Sequence, residues 1–316
     1  MPPMNAPPPM LSVITVAYQN LEGLRATVRN VFEEQGGFRD LEMIVVDGGS
    51  TDGTKEWLEE NADRFAWWCS EKDGGIFFGQ NKGADHARGR YLLFLNSGDT
   101  LCEGVLPRVF ADPPSEDILY GDQIRVHKGG KDTLRTYPDE KSLRPDYFLL
   151  QSLPHQGAFF SERVFRDGRR YDTSLRFAAD AKLFFEEICL RGAKIRKLPF
   201  PVCRFDASGV GSRLRSLPAR IREMRSYLEP HFGPQLMNVV GDGILARATI
   251  GAPRLSVLAS HVERETGLLP VVGPRLDVLF AQWRIPVLRP WLRFKARLAG
   301  AFARMRNRKP KRKKAP

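Results

Sequence analysis

Carboxylates at the ends of apolar runs are where chemistry would begin in this chain. Leu41 to Val46 runs into Asp47, and Tyr91-Leu92-Leu93-Phe94-Leu95 runs into Asn96-Ser97-Gly98-Asp99. Phe65 to Cys69 stops just before Glu71-Lys72-Asp73-Gly74-Gly75. A carboxylate at the end of a buried strand stands on the rim of a sheet. That rim is where open α/β folds take ligands, and a carboxylate there can accept hydrogen bonds from a base or a ribose. After Asp47, Gly48 and Gly53 have the spacing of a phosphate-cradling loop, but Thr54 stands where that loop needs Lys. The competing reading is a glycine-rich turn with Thr51 or Asp52 capping the next helix. For Asp99 the competing reading is an N-cap ahead of a helix from Cys102 to Phe110. Asp180, within Ala178-Ala179-Asp180-Ala181, is placed at a helix start, where the helix dipole alone favours an acid. His155-Gln156 opens a strand-like segment. Ser208-Gly209-Val210-Gly211-Ser212, flanked by Arg204 and Arg213, is a glycine loop whose backbone N–H groups can meet phosphate.

The elements that must position these groups alternate. Leu11 to Ala17 is a β-branched run ending at Tyr18-Gln19-Asn20, and a helix is predicted from about Leu24 to Glu34. Strands follow at Leu41–Val46, Phe65–Cys69 and Tyr91–Leu95, with helices through about Glu60 and from about Gly79 to Ala87 between them. Strand and helix alternating in this way predict a mostly parallel, doubly wound α/β sheet with flanking helices. After Asp99 the pattern loosens. Ile118–Val126 and Asp132–Tyr137 are predicted to pair as a hairpin about Gly129-Gly130, and His155–Phe160 reads as a strand. Ala178–Leu190 reads as a helix, and Lys194–Leu198 and Val202–Phe205 read as strands. The expected organisation is a disordered Pro-rich start over 1–10, one catalytic-sized domain over 11–215, a helical extension over 216–283 and a basic tail over 284–316.

The net charge of +12 belongs to that tail. From Arg284 to Pro316 there are 13 Lys or Arg and no acidic residue, which leaves 36 basic residues against all 37 acidic ones elsewhere. Trp291, Phe294, Leu298, Phe302 and Met305 recur on one helical face, while Arg293, Lys295, Arg297, Arg304 and Arg306 lie largely off it. That composition suits an interfacial helix on anionic lipid, with a solvated basic tail as the bland alternative. A near-neutral body without a recognised binding module argues against nucleic acid as partner. Four scattered cysteines, with no Cys-x-x-Cys pair, argue against a zinc site or a disulfide framework and for a reducing compartment. The first ten residues lack the pattern of a signal peptide, and no apolar run of about 18 residues is present. The expected location is cytoplasmic, with peripheral contact on the inner face of the plasma membrane.

Four segments carry a family resemblance, in order: Ser12-Val13-Ile14-Thr15-Val16-Ala17-Tyr18-Gln19-Asn20, Val46 to Thr54, Asn81-Lys82-Gly83, and Phe94 to Asp99. Together they resemble the family 2 glycosyltransferases of the GT-A fold, in their bacterial polysaccharide branch. The resemblance implies a nucleoside diphosphate sugar as donor, most commonly UDP-linked, and a glycan or polyprenyl-linked acceptor. It implies nucleotide contacts at Ala17, Tyr18, Asn20, Asp47, Asp73 and Asn81. It also implies that Asp99 ligates Mg²⁺ or Mn²⁺ on the diphosphate, although the chain has Asn96, Ser97 and Gly98 where the family commonly carries further acids. Asp180 corresponds to the base of an inverting transfer. His155 and Gln156 correspond to the sugar and acceptor pocket. Apart from the resemblance, the glycine loop with Ser208, Gly209 and Arg213 could close over the diphosphate, an ordinary flexible loop being the equal alternative. Tyr120-Gly121-Asp122 also resembles that branch, with Asp122 read as a turn-stabilising residue. The rival enzyme reading is a nucleotidyltransferase, which would need a basic Gly-rich loop that Tyr18–Leu24 lacks. The non-enzymatic rival is a basic-tailed scaffold or nucleic-acid binder built on a degenerate transferase domain.

Overall fold

The computed structural model describes residues 7–127, 129–149, 151–206, 216–234 and 237–238. Strands Leu11–Ala17 (β1), Leu41–Asp47 (β2), Trp67–Ser70 (β3) and Tyr91–Phe94 (β4) lie parallel in the order β3-β2-β1-β4. All of β1 is buried, which is why it reads as a continuous β-branched run rather than an alternation. Leu11, Val13 and Ala17 enter a core shared with Leu24, Val28 and Val31 of helix Leu21–Glu33 (α1). Ile14 and Val16 meet helix Ile76–His86 (α3), where Gly79 and Gly83 let the helix backbone close on the strand. A Cβ at Gly79 would lie 3.1 Å from the Val16 methyls. Alternate residues of one strand therefore hold helices on opposite faces, and helix Thr54–Glu60 (α2) completes the first half.

Beyond β4 the sheet changes character. The remaining elements are Thr100–Leu101 (β5), Val105–Val109 (α4), Ile118–Val126 (β6), Thr133–Arg135 (β7), Ala158–Ser161 (β8), Ala179–Phe185 (α5), Ile195–Asp206 (β9) and Leu217–Phe232 (α6). Among the described residues the sheet has nine strands, ordered β3-β2-β1-β4-β8-β6-β9-β5, with β7 on the outer half of β6. β8 runs antiparallel to both β4 and β6, whereas β6 and β9 are parallel. The predicted α/β sheet with flanking helices is present, with the parallel alternation confined to its first half and a mixed second half. The chain divides into two compact units, 1–228 and 229–316. Most of the second unit, including the tail over 284–316, lies outside the described residues.

Several local expectations shift for identifiable reasons. α1 begins at Leu21 because the Asn20 side chain accepts the Gly23 N–H and caps it. α3 begins at Ile76, earlier than the expected Gly79, directly after Gly75 at φ 120°. His155–Gly157 forms a 3₁₀ turn and the strand starts only at Ala158. The two short strands expected over 194–205 are one strand, β9. Its register with β6 shifts near Pro199 and Pro201, where the missing N–H is tolerated. The Pro-rich start is tied down before residue 11: the carbonyls of Pro9 and Met10 accept N–H bonds from Arg90 and Tyr91.

Candidate active site

The three rim carboxylates, alike in sequence, have different surroundings. Asp47 is 0% exposed and saturated. It accepts the Ser50 N–H at 2.9 Å and the hydroxyls of Ser50 and Ser70 at 2.5 and 2.6 Å. The Gly48 N–H meanwhile donates to the Ala17 carbonyl at 2.9 Å. Asp47, expected to contact the nucleotide, also shapes the Gly48–Ser50 turn through these bonds. Asp52 serves the same turn, accepting the Leu21 N–H at 2.9 Å and the Thr54 hydroxyl at 2.6 Å.

Asp73 is the open one. Its Oδ1 accepts the Gly75 N–H at 2.8 Å, while its buried Oδ2 has no partner among the described residues. Gly48 and Gly79 stand against it: a Cβ on either would come within 3.4 and 3.2 Å of its oxygens. The Tyr18 ring, 66% exposed, borders the same slot. Oδ2 is thus an unpaired buried acceptor near an exposed ring, and such an acceptor gains most from a new donor.

Asp99 lies on the turn after β4. Thr27 of α1 holds that turn, accepting the Gly98 N–H at 3.0 Å and donating to the Asp99 carbonyl at 2.8 Å. Asn30 of α1 pins Leu101 through both its backbone groups. β5 follows at once and α4 starts only after Gly104, so Asp99 is not a helix cap. Its Oδ1 accepts the Asp206 N–H at 3.0 Å, at the end of β9. Burial raises the Asp99 carboxyl to about 7, opposed by that N–H, by His155 and by a hydrogen bond with Gln156, and reinforced by the Asp206 carboxylate. Asp206 is a site residue that the sequence reading missed. It ends the strand-like segment Val202–Phe205 as Asp47 ends β2, so the signal was present.

Asp180 enters from the other side, in the first turn of α5. Its Oδ2 is 2.9 Å from His155 Nδ1, and His155 Nε2 is 3.2 Å from Asn96 Nδ2. Gln80 Nε2 donates to Asn96 Oδ1 at 3.1 Å, which turns the Asn96 amide nitrogen toward His155. With the Asn96 amide nitrogen facing Nε2, the His155 Nδ1 N–H is directed at the Asp180 carboxylate. α6 braces the helix start: the Glu223 carboxylate accepts the N–H groups of Arg176, Phe177 and Ala178 at 2.8–3.0 Å.

The fold thus gathers Asp99, Asp206, Asn96, His155, Gln156 and Asp180 in one network, with Ala17, Tyr18 and Asp73 on the neighbouring stretch of rim. Asn20 is spent on scaffolding: besides its cap, Nδ2 donates to the carbonyl and hydroxyl of Ser97 at 3.1 and 3.2 Å. Asn81 is another residue expected at the nucleotide. Its amide pairs with the Tyr171 carbonyl and N–H, both at 2.9 Å, because it faces the 171 segment rather than the rim. Ser208, Gly209 and Arg213 lie outside the described residues.

A divalent cation on a diphosphate needs hard oxygen donors. Among the described residues no three His, Cys, Asp or Glu side chains converge as a ready metal cage. What is present is the Asp99–Asp206 pair, one carboxyl buried beside another. Two adjacent acids of this kind suit Mg²⁺ or Mn²⁺, which keep several waters and complete their shell with substrate oxygens.

Comparison with known proteins decides the family. The profile of glycosyl transferase family 2 matches residues 12–171. The chain belongs to this family. It is 35% identical over 213 residues to an uncharacterised glycosyltransferase of Mycobacterium tuberculosis, covering 65% of this chain and 78% of that one. It is also 35% identical over 188 residues to a PGL/p-HBAD biosynthesis glycosyltransferase of Mycobacterium bovis, covering 54% and 67%. The fold matches Staphylococcus aureus TarS in complex with UDP at TM-score 0.52 and 17% identity, covering 75% of this chain and 71% of that one. It also matches a mannosyltransferase of Pyrobaculum calidifontis in complex with GDP-Man and Mn²⁺ at TM-score 0.55 and 18% identity, covering 96% and 90%. This glycosyltransferase therefore has the GT-A fold, and one of its relatives is named for PGL/p-HBAD biosynthesis. No helix among its described residues is long and apolar enough to cross a membrane.

Proposed function

We propose that this glycosyltransferase carries out an inverting transfer from a nucleoside diphosphate sugar, with uridine as the base, to a hydroxyl of a glycan or polyprenyl-linked acceptor. The observation that carries the reading is the joint between His155 and Gln156. His155 Nδ1 lies 2.9 Å from Asp180 Oδ2, while the next residue bonds Asp99. One turn thereby fixes the spacing between a base and the carboxylate that faces the leaving group.

In the transfer, Asp180 takes the acceptor hydroxyl's proton as that oxygen forms a bond to the anomeric carbon. The bond from that carbon to the diphosphate breaks on the opposite face, and its electron pair leaves with the nucleoside diphosphate. The Nδ1–H of His155 holds the Asp180 carboxylate in line and steadies its charge before the proton arrives. Asp99 and Asp206 would hold Mg²⁺ or Mn²⁺, which supplies compensation for charge gathering on the departing diphosphate. The Tyr18–Asp73 slot offers one free acceptor, which suits the single ring N–H of uracil. Support for a nucleotide sugar and a metal comes from the UDP and GDP-Man–Mn²⁺ complexes of the two fold relatives.

The deciding experiment offers the full-length protein a panel of nucleotide sugars with Mn²⁺ and compares wild type with Asp180→Asn. The expected outcome is transfer from a UDP-sugar that falls by about 10²- to 10⁴-fold in the variant, with nucleotide affinity and melting temperature retained. Near-normal turnover in Asp180→Asn removes the base assignment. The basic stretch 284–316 suits an anionic membrane surface near a lipid-linked acceptor. Co-sedimentation with anionic vesicles that persists after truncation at Arg284 removes that assignment.

A further inference from the structure

The hairpin of β6 and β7 carries two guanidinium groups that the transfer chemistry does not use. In the antiparallel register Gln123 faces Arg135 and Arg125 faces Thr133. Arg125 and Arg135 are therefore diagonal neighbours on one face, at a backbone separation of roughly 7–8 Å. Both are partly buried, and both act on the buried Tyr137 phenol, whose ring lies 5.1 Å beneath the Arg135 guanidinium. Among the described residues neither has a carboxylate within 4.0 Å. Several other arginines of the fold are paired, among them Arg170 with Asp85, and Arg204 with Asp132 on the opposite face of the same hairpin. The Nε of Arg125 is moreover buried with no acceptor. Two adjacent like charges cost stability in the free protein, and an anion between their outer nitrogens would relieve that cost.

This face continues the active site. Gln123 pairs with Cys203 of β9, and Leu101 of β5 pairs with Cys203 from the other side. The Cys203 thiol is bonded by Gln123 and lies within the field of Asp99, and Gly157, directly after His155-Gln156, stands against its sulfur. Cys203 and Gln123 therefore separate the guanidinium pair from Asp99, on the side entered by the His155 turn rather than the Tyr18–Asp73 slot. The donor diphosphate belongs at Asp99, which leaves the guanidinium pair for a different anion.

We propose that Arg125 and Arg135 form an anion subsite for a phosphate group carried by the acceptor. A guanidinium presents a planar fork of N–H donors that matches phosphate oxygens, and two such forks bridge one phosphate where a pair of lysines would act only as point charges. The exposed Thr133 hydroxyl, 3.3 Å from the His127 ring, supplies a further polar edge on the same face. Anion binding stands on the hairpin alone, whereas its assignment to the acceptor rests on the transferase reading above.

The test uses the full-length protein saturated with UDP and Mg²⁺, so that the diphosphate seat is filled, and titrates inorganic phosphate by calorimetry at low ionic strength. Wild type is expected to bind phosphate saturably. The double variant Arg125→Gln/Arg135→Gln should weaken that binding by about 10- to 100-fold, with UDP affinity and melting temperature retained. Arg125→Lys/Arg135→Lys should fall between. Absence of phosphate binding by wild type, or equal affinity in the double Gln variant, overturns the subsite. In the second arm a phosphate-bearing acceptor and its dephosphorylated counterpart are compared. The Gln variant should raise KM for the first alone, and an equal effect on both, or on neither, overturns the acceptor assignment. Should wild type transfer no sugar at all, the transferase reading fails while the phosphate titration still decides the anion subsite.

Discussion

The first half of the sheet and the second treat the same sequence device, an acid at a strand end, in opposite ways. Asp47, at the end of parallel β2, is enclosed by donors from its own turn and from β3. Asp99, after β4, is nearly as buried but faces a second acid across the seam with β9. At Asp47 the parallel half completes its hydrogen bonding internally, and the Gly48–Ser50 turn is held as a seat beside the unpartnered Asp73 Oδ2. The mixed half sets like charges side by side along one seam: Asp99 with Asp206, and the Arg125–Arg135 pair beyond. Unbalanced buried polarity is costly without a partner, so the imbalance marks where partners bind.

The largest effect expected from breaking this contrast is on stability at the saturated acid. Asp47→Ala removes one acceptor and strands three donors, two of them from Ser50 and one from Ser70. Unfolding in urea should show a loss of about 3 kcal/mol, with the Gly48–Ser50 turn and nucleotide affinity lost together. A variant of wild-type stability would mean that the turn holds itself.

The smaller effect is a pH dependence carried by Asp99. Its carboxyl is raised from 3.8 to about 7 in the folded protein, chiefly by burial. The folded state therefore keeps this proton to higher pH than the unfolded chain does. The resulting contribution is whole below about pH 4, declines as pH rises, and is gone above about pH 7. Thermal melting in chelator across pH 5–8 should show the decline in wild type, and Asp99→Asn should remove it. Mn²⁺ with UDP should raise the melting temperature of wild type at pH 8 more than that of Asp99→Asn. An unchanged slope in the variant would place the imbalance elsewhere on the seam.

Much of the first half was legible in the chain itself. Buried parallel strands are long apolar runs, and the helices between them have caps and glycine stops, so β1 to β4 and their order in sequence could be read directly. Boundaries missed by a few residues where a cap did the deciding, as at Asn20. The second half was harder, because antiparallel pairing is set by contacts remote in sequence. Nothing local joins β8 to β4, and Pro199 and Pro201 disguised β9 as two strands. Candidate residues followed the same division. Asp180 and His155 stood out by type, but their 2.9 Å contact spans 25 positions and depends on α5 folding back over the His155 turn.

The sequence by itself determined the alternating α/β core, the presence of acids at its strand ends and the family to which the chain belongs, since these rest on local periodicity and ordered motifs. Only the tertiary structure decided which acids are occupied and which are open. Asp47 and Asp99 end similar apolar runs, and their difference lies wholly in what other segments bring to them: Ser70 from β3 to the one, Asp206 and Gln156 to the other. Tertiary structure likewise spent Asn81 on Tyr171, recruited Asp206 and set Arg125 beside Arg135. Hydrogen bonding and charge act over a few ångströms of space, and the chain's order does not specify which residues will share them.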